Sequence, residues 1–189
     1  MFIIIIYFVS ILFLAGAVTA TTVEATDSST ADVSIALNET SMLVNQGDTV
    51  NLAVVVNATL GDPKTEIDGA QFTLRYNTTI FNATTITNGS FLGPSSIVVV
   101  QRINNSAGTI DFAATRIGTD NGSTGSGILA YLTLVVKSNA PPATTMLTFS
   151  DVIFVRAPHS MISTYIENSS VTVNACPITS FTYAPAVPM

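Results

Sequence analysis

One histidine, one cysteine and a few carboxylate clusters are the chain's main chemistry-bearing groups. His159 sits in Ala157-Pro158-His159-Ser160. A catalytic base needs a nucleophile within hydrogen-bond reach, and the sequence has no Gly-x-Ser-x-Gly elbow to supply one. His159 therefore reads as a loop histidine. Cys176, just before Pro177, is the only cysteine, which excludes an internal disulfide and a Cys-rich zinc site. Asp62, Glu66 and Asp68 are close in sequence, and a carboxylate pair could hydrolyse a glycoside. They fall on a stretch interrupted by Gly61 and Pro63, so a solvated loop is the simpler expectation. Asp120-Asn121-Gly122 offers oxygen ligands but lacks the spaced acidic run of a strong calcium site, and reads as a tight turn. No Gly-rich segment follows a strand and opens a helix to cradle phosphate. The expectation is a chain that is not an enzyme and has no resident cofactor or metal.

Asparagine is the residue whose spacing stands out. Asn38, Asn57, Asn77, Asn82, Asn88, Asn104, Asn121 and Asn168 each begin an Asn-x-Ser/Thr triplet. Given the Ser and Thr content, chance would supply about three such acceptors. The excess marks these eight as candidate glycosylation sites on an exported protein. It suits an archaeal or eukaryotic cell surface.

Composition narrows the function classes. The 189 residues are 48% hydrophobic and 10% charged, with no Trp and a formal net charge of −6. A nucleic-acid-binding face needs basic residues, and the six Lys and Arg against twelve Asp and Glu do not provide them. Met1 to Val18 is the most apolar stretch, followed by the small-residue exits Ala15-Gly16-Ala17 and Val18-Thr19-Ala20. It suits a signal peptide cleaved after Ala20, although no Lys or Arg precedes the apolar run. At about 18 residues it also meets the short end of a membrane span, so an uncleaved anchor is the alternative. Either way the rest is expected to be secreted or at the cell surface.

These groups must be held by strands. Val33, Ile35 and Leu37 alternate with Ser34, Ala36 and Asn38, and the same two-residue period runs through 50–57, 71–76, 110–115 and 130–137. Such alternation puts one face on a core and the other toward solvent. Further strands are expected at 97–103, 145–149, 152–155 and 171–174. Turn signals separate them, including Asn45-Gln46-Gly47-Asp48, Asn104-Asn105-Ser106-Ala107-Gly108 and Asn139-Ala140-Pro141-Pro142. The only helical suggestion is a turn at 79–82. Nine short strands with regular turns predict an all-β fold, one antiparallel β-sandwich. It spans 32–174, after a polar spacer at 21–31. Residues 175–189 are expected to be a linker or the start of another domain.

The order of these segments resembles a cohesin domain. Gly47-Asp48-Thr49-Val50 resembles the family's opening turn and strand. Ile67-Asp68-Gly69-Ala70-Gln71-Phe72-Thr73-Leu74-Arg75-Tyr76-Asn77 resembles its most recognisable strand, with Ile80-Phe81 after it. Gly89-Ser90-Phe91-Leu92-Gly93, Gly108-Thr109-Ile110-Asp111-Phe112-Ala113-Ala114 and Gly125-Ser126-Gly127-Ile128-Leu129-Ala130 follow in order. The resemblance implies a nine-stranded jelly-roll sandwich, a fold shared with certain carbohydrate-binding modules. It implies a dockerin-like protein partner, held on one sheet face, that carries any calcium itself. It places partner contacts at Gly69, Gln71, Ala113 and Arg116, where the family often has Asn at Gly69, Asp at Gln71 and an acidic residue at Arg116. Sugar on Asn77 or Asn82 would flank the end of that interaction strand and could block it. The tail Ile178-Thr179-Ser180-Phe181-Thr182-Tyr183-Ala184-Pro185 resembles the start of a PKD-type domain, cut short.

Two other readings fit the same fold. A polysaccharide-binding module would stack sugar on exposed aromatics, and Tyr131 is the one aromatic expected to point outward within a strand. A structural or adhesive cell-surface domain would use its glycans as the main interface.

Overall fold

The computed structural model describes residues 31–59, 65–118, 122–156 and 160–174. They form twelve strands: β1 Val33–Leu37, β2 Ser41–Val44, β3 Thr49–Ala58, β4 Gly69–Arg75, β5 Phe81–Asn88, β6 Ser96–Asn104, β7 Thr109–Arg116, β8 Gly125–Val136, β9 Ala143–Arg156, β10 Ser160–Met161, β11 Thr164–Ile166 and β12 Ser169–Val173. Five of them make one sheet in the order β11-β1-β3-β8-β5. The other sheet runs β2-β12-β9-β4-β7-β6, with β10 on β9.

The two-residue period becomes the core. Ile35, Val54, Val56, Phe72, Leu74, Ile110, Phe112, Leu132 and Leu134 are all buried between the sheets. Phe72 stacks on Phe112 with ring centroids 5.4 Å apart and meets Phe149 edge-on at 5.6 Å. Both arrangements suit the ring quadrupole. Each Å² of apolar surface removed from water contributes about 25 cal/mol, so burial of a cluster this size does most to hold the sandwich together.

The strand count differs from the expected nine for local reasons. β2, β10 and β11 are too short to show a period. β5 is Thr-rich, and an irregularity between Ala83 and Thr85 shifts its buried set from Phe81 and Ala83 to Ile86. The expected strands at 145–149 and 152–155 are one strand, β9. Its inward residues change phase because the register slips between Gln71 and Thr73 of β4, opposite Ile153 and Ser150. Asp151 takes a φ of 52° there, a left-handed conformation that Asp tolerates better than bulky residues. A bulge of this kind inserts one residue and restores the face beyond it.

The pairing is antiparallel except at two places. β1 pairs with β11 and β2 pairs with β12, both parallel. The chain passes from β1 in one sheet to β2 in the other, and from β11 to β12 likewise, so the two crossings run side by side.

Opposite corners are tied by side chains. Asn105 Oδ1 accepts from the Tyr76 hydroxyl at 2.7 Å and from the Ala83 N–H at 2.7 Å, while its Nδ2 donates to the Ala83 carbonyl at 3.0 Å. These bonds join the β6–β7 turn to β5 across the sandwich. The Gln101 side chain likewise donates to the Ile86 carbonyl.

Candidate functional site

The register of β9, β4, β7 and β6 sets which residues share their outer face. Val155, Gly69, Thr115 and Ile97 form one row, and Ile153, Gln71, Ala113 and Val100 the next. Ser150, Thr73, Asp111 and Arg102 form a third row, and Thr148, Arg75, Thr109 and Asn104 the fourth. Met161, 54% exposed, pairs with Val155 and extends the first row. One end of the face is therefore apolar and the other polar.

The polar end is a hydrogen-bonded surface. Arg102 Nη2 meets Asp111 Oδ2 at 2.7 Å, and Nε donates to the same oxygen at 2.9 Å. Thr73 Oγ1 donates to Asp111 Oδ1 at 2.9 Å. Arg75 Nε donates to Ser150 Oγ at 3.1 Å. These bonds hold two guanidinium groups on the face at set positions. The Arg102 side chain is 72% exposed, so its charge is available to a partner but adds little to folding.

Of the four residues implied as contacts, three lie together. Gly69 and Gln71 face outward on β4, and Ala113 lies beside Gln71 on β7. Gly69 is small because Val155 covers it: a Cβ there would meet Val155 Cγ2 at 2.8 Å. Ala113 is fully buried although its register beside Gln71 and Val100 puts it on the outer face. It is a floor under the patch and not a solvent-facing contact. Arg116 leaves the face altogether. Its Nη1 donates to the Leu92 carbonyl at 2.8 Å and to Ser123 Oγ at 3.1 Å, which makes it a clamp on the loops at the sandwich end.

Sequence reasoning missed Ile97, Val100, Ile153, Val155 and Met161. The strands at 97–103 and 152–155 were legible, but which strands flank β4 and β7 is a matter of topology. The phase of Ile153 and Val155 depends on the Asp151 bulge.

Tyr131, 47% exposed, is on the opposite sheet, on β8 between Ala53 of β3 and Thr87 of β5. No other aromatic side chain among the described residues is comparably exposed. Tyr165 lies in β11. Glu66 and Asp68 are half-buried, and no group of three His, Cys, Asp or Glu that could hold a metal occurs among the described residues. Asp62, Asp120, Asn121, His159 and Cys176 lie outside the described residues. A surface groove of about 410 Å³ runs between β2 and the start of β3, lined by Glu39, Met42, Leu43, Asp48 and Val50 among others.

Comparison with known proteins bears on the whole of this sandwich. A family model described as "Cohesin domain" matches residues 33–173. The seventh ScaB type I cohesin from Pseudobacteroides cellulosolvens is similar with a TM-score of 0.61 at 19% identity, over 80% of this chain and 98% of that one. A non-cellulosomal cohesin from the hyperthermophilic archaeon Archaeoglobus fulgidus gives a TM-score of 0.57 at 15% identity, over 77% and 93%. A chain of a type I cohesin–dockerin complex from Clostridium thermocellum gives 0.60 at 12% identity, over 75% and 99%. At such identities the structural likeness is one of fold. No curated protein matches the sequence.

Proposed function

Because the chain belongs to the cohesin family, we propose that it is a non-catalytic binding module that holds a dockerin-like protein partner on the outer face of β9, β4, β7 and β6. The observation that carries this reading is the graded face itself. Ile97, Val100, Ile153, Val155 and Met161 surround Gly69, Gln71 and Ala113 at one end, and Arg75, Arg102 and Asp111 stand at the other. An apolar patch flanked by polar groups supplies both the dry contact and the polar contacts that a protein interface uses. The charged end gives orientation and partner choice more than raw affinity. Structures of cohesin–dockerin complexes among the similar folds support the partner class.

The partner, in this reading, brings the calcium, and the module itself holds none. The setting is extracellular or at the cell surface. The apolar leader at 1–20 and the eight acceptor triplets support it. Residues 175–189 are, in this reading, a linker or the start of a PKD-type domain.

Pull-down of dockerin modules encoded in the same genome, with calcium present and with calcium chelated, tests the proposal. Calcium-dependent capture at micromolar concentration is expected. Its absence for every such dockerin would refute a dockerin partner. The polysaccharide reading predicts retention on cellulose or chitin that Tyr131→Ala abolishes. Tyr131 alone offers one ring where a sugar platform uses several.

A further inference from the structure

We infer that asparagine-linked glycans coat the outer face of the β11-β1-β3-β8-β5 sheet and the polar rim of the other sheet, and leave bare the β9 and β10 side of the apolar end, at Ile153, Val155 and Met161. Sugar would then mark off the single side on which a partner docks. The inference rests on the docking face proposed above.

The distribution of the triplets carries it. Seven of the eight acceptor asparagines lie in described segments, and none of the seven is buried. Asn57 is on β3 and Asn82 on β5, each between buried inward-facing neighbours, so both point outward from the β11-β1-β3-β8-β5 sheet. Asn38 follows β1 in the same sheet, and Asn88 ends β5 beside Ser96, at the β6 edge of the other sheet. Asn77 and Asn104 stand at the polar end of the other face, just after β4 and at the end of β6. Asn168 bonds the Phe149 N–H of β9. By contrast β4, β7 and β9 contain no asparagine at all. Sugar at Asn82 does not obstruct the docking face, because Asn82 is on the opposite sheet.

Local geometry accommodates the sugar in the folded state. Glycan transfer breaks the bond from the sugar's anomeric carbon to the phosphate of a lipid-linked oligosaccharide donor. It forms a bond from that carbon to the asparagine Nδ2, and the amide proton leaves with the phosphate. At Asn38, Asn57, Asn77, Asn104 and Asn168 the hydrogen bond to the fold is made by Oδ1 as acceptor. At Asn57 and Asn77 that oxygen also accepts from the hydroxyl of the triplet's own Thr59 or Thr79, at 2.5 and 2.8 Å. Sugar on Nδ2 leaves all of these contacts in place. Asn88 differs, since its Nδ2 donates to Ser96 Oγ at 3.3 Å.

A coat of this kind also suits a chain that is only 10% charged, because glycans keep an uncharged surface soluble. Tyr131 is opposite Ala53 and Thr87. Asn57 is four residues along β3 from Ala53, about 13 Å, and Asn82 is opposite Val135, four residues along β8 from Tyr131, also about 13 Å. An oligosaccharide at either reaches it. Met161 pairs with Val155, which the β4 register sets five residues beyond the Phe149 that Asn168 touches, about 17 Å away.

The test uses the full protein purified from its own cells. Glycopeptide mapping after enzymatic release in heavy-oxygen water is expected to find sugar at Asn57 and Asn82 in most molecules. Hydroxyl-radical footprinting before and after release should raise labelling of Tyr131 at least about twofold and leave Met161 unchanged. Unmodified asparagine at both positions, or Met161 unmasked as strongly as Tyr131, overturns the inference. A protein that shows the expected map yet captures no dockerin keeps the one-sided coat and loses only the docking reading.

Discussion

Replacing Asn105 by alanine is expected to cost the domain a large part of its stability while leaving the face residues untouched. The side chain makes three hydrogen bonds, from the Tyr76 hydroxyl, from the Ala83 N–H and to the Ala83 carbonyl, at 2.7, 2.7 and 3.0 Å. Each such bond contributes about 1 kcal/mol net. Tyr76 and Ala83 are themselves buried, so their polar groups lose a partner rather than regain full hydration. The sum is about 3 kcal/mol, against about 5–15 kcal/mol for a typical domain. Urea unfolding, followed by far-UV circular dichroism and tyrosine emission because the chain has no Trp, reads the change. With a slope of about 2 kcal/mol per molar urea, the midpoint should fall by about 1.5 M. Asn105→Asp keeps the acceptor oxygen and loses the donor, so it should fall less. A midpoint shift under about 0.3 M for Asn105→Ala, with the slope unchanged, would refute the claim that this side chain ties the two sheets together.

Other perturbations follow from single sites. Gly108→Ala places a Cβ 2.4 Å from the Tyr76 carbonyl oxygen at a backbone φ of 68°. It should lower stability by about 2 kcal/mol or more by calorimetry, and an unchanged melting temperature would count against the described turn. Burial raises the Tyr76 phenol above its ordinary 10.0, with a backbone contact to Ala83 offsetting part of the shift. The folded state therefore holds this proton more tightly than the unfolded chain. The contribution is complete below pH 10 and is lost as pH rises through the folded value. Tyr76→Phe should flatten that alkaline slope in urea titrations, and an identical slope would dismiss the assignment. Ile153→Asp puts a carboxylate in the apolar end of the face and should weaken dockerin capture at least about tenfold with little change in melting. Undiminished capture would move the docking surface elsewhere. Arg102→Ala removes an exposed ion pair and should change stability by less than about 1 kcal/mol. A larger loss in urea unfolding would show the Arg102–Asp111 contact to be structural.

Much of the fold was legible because a half-buried strand writes its geometry into alternate residues. Val33, Ile35 and Leu37, or Ile110, Phe112 and Ala114, can be sorted into inside and outside from the chain alone, and all six are buried. The family resemblance rests on the same local signals, carried in order by turns such as Gly47-Asp48 and Gly108-Thr109. Gly69, Gln71 and Ala113 could be placed on one face because β4 and β7 are regular and directly paired.

The remainder depended on contacts between distant segments. No local pattern brings Ile153 of β9 and Val100 of β6 into the row of Gln71 and Ala113, because strand neighbours are chosen by the packing of whole sheets. No period survives a bulge, so Asp151 hid the phase of β9 and the step at Ala83 hid β5. The placement of Arg116 was settled by the Leu92 carbonyl and the Ser123 hydroxyl, which reach it from loops 24 and 7 residues away. The sandwich and its core could be read from the chain alone, since burial alternates along each regular strand. Which outer residues form one surface, and which sheet bears each acceptor asparagine, follow from register and strand order, which are properties of the paired sheets and not of any one strand.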